Sequence, residues 1–120
     1  MAYIADIDAV RRQANGQNYF GESQECVAAV KYFCAAPQTA LWRKGAQVKN
    51  NLRVSPGTAI ATFDNNDRYK GHAAIYAGQD GVGLQVYDQW SGYEFQPRII
   101  RFRGGRGYAS NDGDQFYVVE

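Results

Sequence analysis

Cys26, His72 and Asp88 are the residues whose types could together carry out nucleophilic catalysis. A cysteine nucleophile acts as a thiolate, and it needs a base to accept its proton and a third group to orient that base. Cys26 is one of two cysteines in this 120-residue chain, and His72 is the only histidine. We therefore take Cys26 as the candidate nucleophile and His72 as the candidate base.

Cys26 lies where the sequence predicts the first turn of a helix. Ser23 is a suitable N-cap, apolar residues follow at helical spacing, and Pro37 ends the run. At a helix start, the dipole lowers a thiol pKa, and free backbone N–H groups could bind a developing oxyanion. The alternative is that Cys26 is simply a small hydrophobic residue on the buried face of the helix.

His72 begins the strand candidate "HAAIYAG" (72–78), which can pair with "LQVYDQW" (84–90) across a glycine-rich turn. A register that joins Ala77 to Leu84 places His72 opposite Gln89, and a one-residue bulge or a different loop moves the partner to Asp88. The alternative for His72 is an ordinary, partly exposed residue at a strand end.

Strand alternation favours Asp88 as the orienting residue. Asp88 shares one strand face with three apolar residues, namely Leu84, Val86 and Trp90. We expect this apolar face to look toward the helix that carries Cys26, and a carboxylate buried there would need a partner such as an imidazole. Gln89 is the alternative, because an amide oxygen can also hold one imidazole tautomer. A further interpretation is that Asp88 is an ordinary solvent-exposed carboxylate at the end of the strand.

The elements that would position these residues are helices first and strands afterwards. Asp6 can cap a short helix over 7–14, and the second helix follows. The segment 37–51 is irregular, with Trp42 and Val48 as core anchors. Five strand candidates then follow, over 57–63, 72–78, 84–90, 98–102 and 116–120. Short connectors exclude parallel crossovers, so an α+β domain with an antiparallel sheet of five to six strands is predicted.

Composition excludes several classes of function. The chain has thirteen Lys and Arg residues and twelve Asp and Glu residues, so its net charge is +1. This charge is too small to attract nucleic acid or an anionic membrane surface. We find no apolar stretch of membrane-spanning length and no signal-peptide pattern. Two cysteines and one histidine are too few for a structural zinc site, and a helix would hold Cys26 and Cys34 about 12 Å apart as free thiols. No metal, cofactor, nucleic acid or membrane insertion is therefore expected.

Several motifs together resemble a known superfamily. A cysteine at a helix start, "SPGTAIATF" (55–63), "GHAAIYAG" (71–78) and a strand with a polar residue in its second half resemble the NlpC/P60 and CHAP papain-like cysteine peptidases and amidases. The combination over residues 20–92 is similar to the type VI secretion amidase effectors, and to their third family in particular. The chain differs from many relatives in the Val-Ala-Ala after Cys26 and in its acidic third position.

The resemblance implies a single papain-like amidase domain over residues 1–120, with Cys26, His72 and Asp88 as its triad and no cofactor. The substrate would be an amide bond in peptidoglycan stem peptides or their crosslinks, with the D-Ala to meso-diaminopimelate crosslink favoured over the γ-D-Glu to diaminopimelate bond. Tyr19, Gln24 and Trp90 are candidates for oxyanion or substrate contacts.

The resemblance also implies a biological setting. The protein would be made in a bacterial cytoplasm without a signal peptide, delivered by type VI secretion to the periplasm of a target cell, and neutralised in its producer by a cognate immunity protein. Two other functions stay open. Nine tyrosines and two tryptophans could serve a non-catalytic cell-wall-binding module, and the same constellation could serve a cysteine acyltransferase.

Overall fold

Two short helices precede a six-stranded antiparallel sheet in the computed structural model, which describes residues 1–120. The helices are α1 (Ile7–Gln13) and α2 (Cys26–Cys34). The strands are β1 (Lys44–Gln47), β2 (Ala59–Phe63), β3 (Tyr69–Gln79), β4 (Gly83–Trp90), β5 (Tyr93–Arg101) and β6 (Tyr117–Val119), in the spatial order β1-β6-β2-β3-β4-β5. The predicted α+β class and antiparallel sheet are confirmed.

The two helices differ in how they begin. Asp6 caps α1 as predicted, because its carboxylate accepts the backbone N–H groups of Asp8 and Ala9. The Ser23 cap for α2 is wrong: Ser23 Oγ accepts the Glu25 N–H in the preceding turn, and Glu25 is the N-cap without a side-chain bond. Cys26 is therefore the first residue of its helix. Neither helix is long and apolar enough to cross a membrane.

The strands differ from the sequence pattern in three places. β3 begins at Tyr69, three residues before the expected start at His72. β1 lies in the segment expected to be irregular, and β5 begins at Tyr93, inside "SGYEFQP" (91–97), which was expected to be a turn. Trp42 and Val48, the predicted core anchors next to β1, are both buried. The sheet is thus larger than the strand signals alone indicate.

Both faces of the sheet are buried, and this corrects the predicted orientation of β4. The cluster that contains Cys26 and Val30 of α2 packs on Ala61 and Ile75, whereas Leu84 and Val86 belong to the cluster on the other face. The face with Leu84, Val86 and Asp88 therefore looks away from the body of α2. The apolar residues of β4 could not indicate which of its faces packs on α2, because the face away from α2 is also buried, under Phe116 and Val48.

Candidate active site

His72 and Asp88 form a buried hydrogen-bonded pair between β3 and β4. His72 Nε2 lies 2.7 Å from Asp88 Oδ2, and the Asp88 side chain is fully buried. The register differs from the expected one: Ile75 pairs with Tyr87, with a bulge between Tyr76 and Gly78. If this register is continued along the two strands, His72 lies opposite Trp90. Asp88 lies two residues before Trp90 on the same face of the sheet, so its carboxylate reaches the His72 imidazole diagonally.

The glycine before His72 explains the Gly-His motif. Gly71 has φ +109°, and a Cβ at this position would lie 2.4 Å from Thr62 Oγ1. Thr62 in turn accepts the His72 backbone N–H at 3.0 Å and donates to the Lys70 carbonyl. The close approach of Gly71 therefore lets β2 fix the backbone from which the His72 side chain projects.

The Cys26 thiol lies at the start of α2 against β3. Its Sγ is 3.5 Å from Tyr69 Oη. Burial raises the pKa of Cys26, but the hydrogen bond and charge of His72, with the donors Tyr69 and Ala73, outweigh burial and leave the pKa below its ordinary value. His72 and Tyr69 therefore stabilise the thiolate form of Cys26.

The imidazole of His72 is correspondingly favoured in its charged form. Burial lowers the pKa of His72, but the hydrogen bonds and charges of Asp88 and Cys26 raise it to about 9. Because Nε2 faces Asp88, Nδ1 is the nitrogen left to exchange a proton with the thiol. The imidazolium and the thiolate thus stabilise each other, and the thiolate is the form in which a cysteine acts as a nucleophile.

Arg98 of β5 completes the buried network, and sequence reasoning missed it. Its Nη2 lies 2.6 Å and its Nε 3.0 Å from Asp88 Oδ2, and its guanidinium lies 5.0 Å from the centre of the Trp90 ring. The Asp88 carboxylate thus pairs with two cations, His72 and Arg98. Both ion pairs are needed to offset the desolvation of a fully buried carboxylate. No motif signals Arg98, because its position depends on the β4–β5 register.

Tyr69 is the second residue that sequence reasoning missed. The segment "DNNDRYKG" (64–71) reads as a turn, but Tyr69 begins β3 and packs edge-on against Trp42. Burial and the neighbouring Cys26 raise the pKa of Tyr69, so its hydroxyl stays protonated and can donate a hydrogen bond beside the thiolate.

Gln89, the alternative orienting residue, makes contacts of another kind. Its amide accepts the Phe20 N–H at 2.8 Å and donates to the carbonyls of Phe20, Ser23 and Glu25. All four bonds go to backbone in the segment that leads into α2. The structure thus brings Asp88, and not Gln89, to His72.

The three further candidates divide into two groups. Tyr19 Oη accepts the Gly92 N–H at 2.9 Å and Gln24 accepts from Ser91, so both fasten the β4–β5 turn and neither contacts the thiol. Trp90 does lie at the site, since its ring centre is 6.0 Å from that of His72 and it stacks on Tyr93 at 3.8 Å.

Two cavities are lined by residues of the site, and Cys26 lines neither of them. One, of about 340 Å³, includes His72, Trp90 and Arg98 in its wall, and the other, of about 470 Å³, is formed around Trp42 and Tyr69. A larger cavity of about 580 Å³ between α1 and β5 contains none of the three candidate catalytic residues. No group of three or more His, Cys, Asp or Glu side chains is arranged to hold a metal.

Comparisons with known proteins agree with one another. The sequence profile of the family described as "Domesticated amidase effector 2" matches residues 4–119. A protein of that name from Ixodes scapularis is 40% identical, over 82% of this chain and 72% of its own length. The "Type VI secretion amidase effector 2 protein" of Salmonella typhi is 31% identical, over 83% of this chain and 87% of its own.

A solved structure gives the same result. "Type 6 secretion amidase effector 2 (Tae2)" superposes with a TM-score of 0.78 at 30% identity, over 93% of this chain and 91% of that one. The matches are to the second effector family, which corrects the third family indicated by the motifs. Those motifs surround the candidate catalytic residues and do not identify the individual effector family. The papain-like NlpC/P60 assignment stays a prediction.

Proposed function

Because this chain belongs to the domesticated amidase effector 2 family, we propose that it is a cysteine amidase that hydrolyses amide bonds of peptidoglycan peptides. The D-Ala to meso-diaminopimelate crosslink is the favoured bond. The single observation that carries the cysteine mechanism is the linked arrangement of Cys26, His72 and Asp88, in which His72 Nε2 bonds to a buried carboxylate and the thiol pKa is lowered.

In the proposed mechanism the Cys26 thiolate attacks the scissile carbonyl carbon, and the carbonyl electron pair moves to oxygen. The oxyanion lies near the start of α2, where no side chain caps the free N–H groups, and the Tyr69 hydroxyl is a second donor. Tyr69 replaces Tyr19 and Gln24 in this role because it alone contacts Sγ. Collapse of the intermediate breaks the C–N bond, and His72 gives its proton to the leaving amine.

Water then completes the reaction. Neutral His72 takes a proton from the water that attacks the thioester, and the C–S bond breaks to release the carboxylic acid and restore the thiolate–imidazolium pair. Asp88 remains ionised throughout, because its role is to hold the imidazole in orientation and to stabilise its charged form. Arg98 supports that carboxylate from the other side.

The biological role follows from the names of the relatives. The Salmonella typhi protein is named a type VI secretion effector, and we propose the same role here: delivery into the periplasm of a target bacterium, where the cell wall is exposed, and neutralisation in the producer by a cognate immunity protein.

The test is digestion of purified bacterial sacculi by the wild-type protein, Cys26→Ala and Cys34→Ala. Muramidase then releases the muropeptides for chromatography and mass spectrometry. Cys34 is the matched control, because it is buried at the end of α2 and burial raises its pKa to about 12. We expect wild type and Cys34→Ala to remove crosslinked dimers and Cys26→Ala to leave them.

Other outcomes would change the proposal. Shortened stems with intact crosslinks would move the cleaved bond to γ-D-Glu–diaminopimelate. An unchanged profile with folded wild-type protein would contradict hydrolysis and favour a cell-wall-binding module or an acyltransferase.

A further inference from the structure

The cavity beside His72 is lined by groups that suit an anion. Its wall consists of Gly71, His72, Trp90, Arg98, Ser110 and Asn111. Two of these side chains are cationic when His72 is protonated, others carry N–H or O–H donors, and none is acidic. The carboxylate of Asp88 lies behind the wall and is fully buried. A negatively charged group of a substrate would therefore meet donors without meeting an exposed carboxylate.

Arg98 has one guanidinium nitrogen left for such a group. Its Nε and Nη2 both bond to Asp88, whereas Nη1 makes no hydrogen bond within the protein. No buried side-chain nitrogen or oxygen lacks a partner, so Nη1 is accessible to solvent, and 19% of the Arg98 side chain is exposed. The ion pair with Asp88 and the contact with Trp90 hold this donor in a fixed orientation.

The role of His72 in the proposed mechanism indicates which half of the substrate lies nearest to it. His72 protonates the leaving amine, so that amine must lie on the His72 side of Cys26. The amine half of the substrate is therefore assigned to the cavity that His72 lines, whose wall does not include Cys26.

The two candidate bonds differ in this half. In the D-Ala to meso-diaminopimelate crosslink, the carbon attached to the scissile nitrogen bears a free carboxylate. In the γ-D-Glu to diaminopimelate bond, the corresponding carbon carries the carbonyl of the next peptide bond when the stem continues. A carboxylate receptor close to the leaving amine would consequently select the crosslink.

We propose that the cavity beside His72 is a carboxylate subsite in which Arg98 Nη1 binds the free carboxylate next to the leaving amine of the crosslink. The proposal rests on the amidase function proposed above and extends it to substrate selection. Arg98 thus serves both as a positioning residue for Asp88 and as a determinant of specificity.

The experiment compares two soluble crosslinked muropeptide dimers that differ only at this group, with the diaminopimelate carboxylate either free or amidated. For the wild type we expect kcat/KM to be about 10- to 100-fold higher on the free acid, the range for a hydrogen bond between charged groups. In Arg98→Gln the ratio of the two values should fall to near one. Because any loss of Asp88 positioning slows both substrates alike, the ratio isolates the subsite.

Two further variants complete the design. Asn111→Asp places a negative charge in the cavity wall without altering the Asp88 network, and it should lower kcat/KM on the free acid more than on the amide. Arg101→Gln is the matched control, because Arg101 is exposed on the same strand and does not line the cavity; it should keep the wild-type ratio.

The outcomes separate the subsite from the reaction. No cleavage of either dimer by the folded wild type would overturn the amidase proposal itself. Equal cleavage of both would overturn the subsite and leave the amidase intact. A wild-type preference that persists in Arg98→Gln and Asn111→Asp would also overturn the subsite, because the carboxylate would then be recognised elsewhere.

Discussion

The charge state of Cys26 and His72 is a balance between burial and hydrogen bonding. Burial alone favours the neutral thiol and the neutral imidazole. Asp88 changes this outcome, since its hydrogen bond and charge raise the pKa of His72 while the imidazolium in turn lowers that of Cys26. A single buried carboxylate on β4 thereby controls the nucleophile on α2.

Asp88→Asn should consequently move the alkaline limit of activity toward lower pH. The imidazolium that protonates the leaving amine is lost in the wild type as pH rises through about 9. Without the carboxylate, burial lowers the pKa of His72, and the limit should move down by at least about one pH unit, with a lower maximal kcat/KM. The pH profile of crosslinked-dimer hydrolysis measures this, with Asp8→Asn on the exposed side of α1 as the control. An alkaline limit unchanged near pH 9 would contradict the role of Asp88.

The residues of the site were predictable to different degrees. Cys26, His72 and Asp88 stand out by type and spacing, because few side chains can act as nucleophile, base and buried carboxylate. Arg98 does not stand out. Arg98 reaches Asp88 because Arg98 pairs with Val86 across β4 and β5. That register is set by the turn between the two strands, and the sequence pattern wrongly includes the first residues of β5 in this turn.

At the scale of elements, the close contact between β2 and β3 sets the position of His72. Gly71 approaches Thr62 where the β2–β3 register shifts, between Ala61 and Phe63. Thr62 bonds to the backbone on both sides of Gly71. The contact thus fixes the backbone near the start of β3, from which the His72 imidazole projects.

Gly71→Ala should therefore damage both stability and activity. The new Cβ would meet Thr62 Oγ1 at a positive φ, and we expect a loss of about 1–3 kcal/mol in the free energy of unfolding. The kcat/KM should fall by more than tenfold as His72 moves. Gly81→Ala is the control, since nothing lies within 4 Å of its Cβ position; it should change stability by less than about 0.5 kcal/mol. Denaturant unfolding and dimer hydrolysis measure the two effects, and wild-type values for Gly71→Ala would refute the close-contact argument.

Elements were predictable where their own residues carry the signal. β2, β3, β4 and β6 have β-branched and aromatic runs, and their centres were located. β1 has the sequence "KGAQ", which has no strand preference of its own. It becomes a strand because Lys44 and Gln47 pair with Val119 and Tyr117, which are 75 and 70 residues away along the chain. Pairing over that distance leaves no local pattern.

At the scale of the whole molecule, the segment before α2 is tied to the far end of the sheet. Gly16 N–H bonds to the Phe95 carbonyl, and Phe95 N–H bonds to the Asn18 carbonyl. Gln89 adds four bonds to backbone groups between Phe20 and Glu25, across 64 to 69 residues of sequence. These links fix where α2 begins, and so where Cys26 meets His72.

Gln89→Ala should consequently destabilise the whole fold and leave the chemistry of the folded site in place. Removing the buried amide leaves the Phe20 N–H and the Phe20 and Ser23 carbonyls without their partner, at about 1–3 kcal/mol for each group that water cannot reach. The Glu25 carbonyl keeps its bond from the Ala28 N–H. We expect a loss of at least about 3 kcal/mol and a fall in Tm of about 10 °C. Exposed Gln85→Ala on the same strand should leave Tm nearly unchanged.

The same variant distinguishes a structural Gln89 from a catalytic one. Because the Gln89 side chain makes no hydrogen bond with His72, the protein that remains folded at low temperature should keep its alkaline limit near pH 9, which the Asp88 variant should lose. Thermal unfolding and the pH profile of hydrolysis together make the comparison. An unchanged Tm with a displaced alkaline limit would instead identify Gln89 as the residue that orients the imidazole, and would make its backbone contacts incidental to the fold.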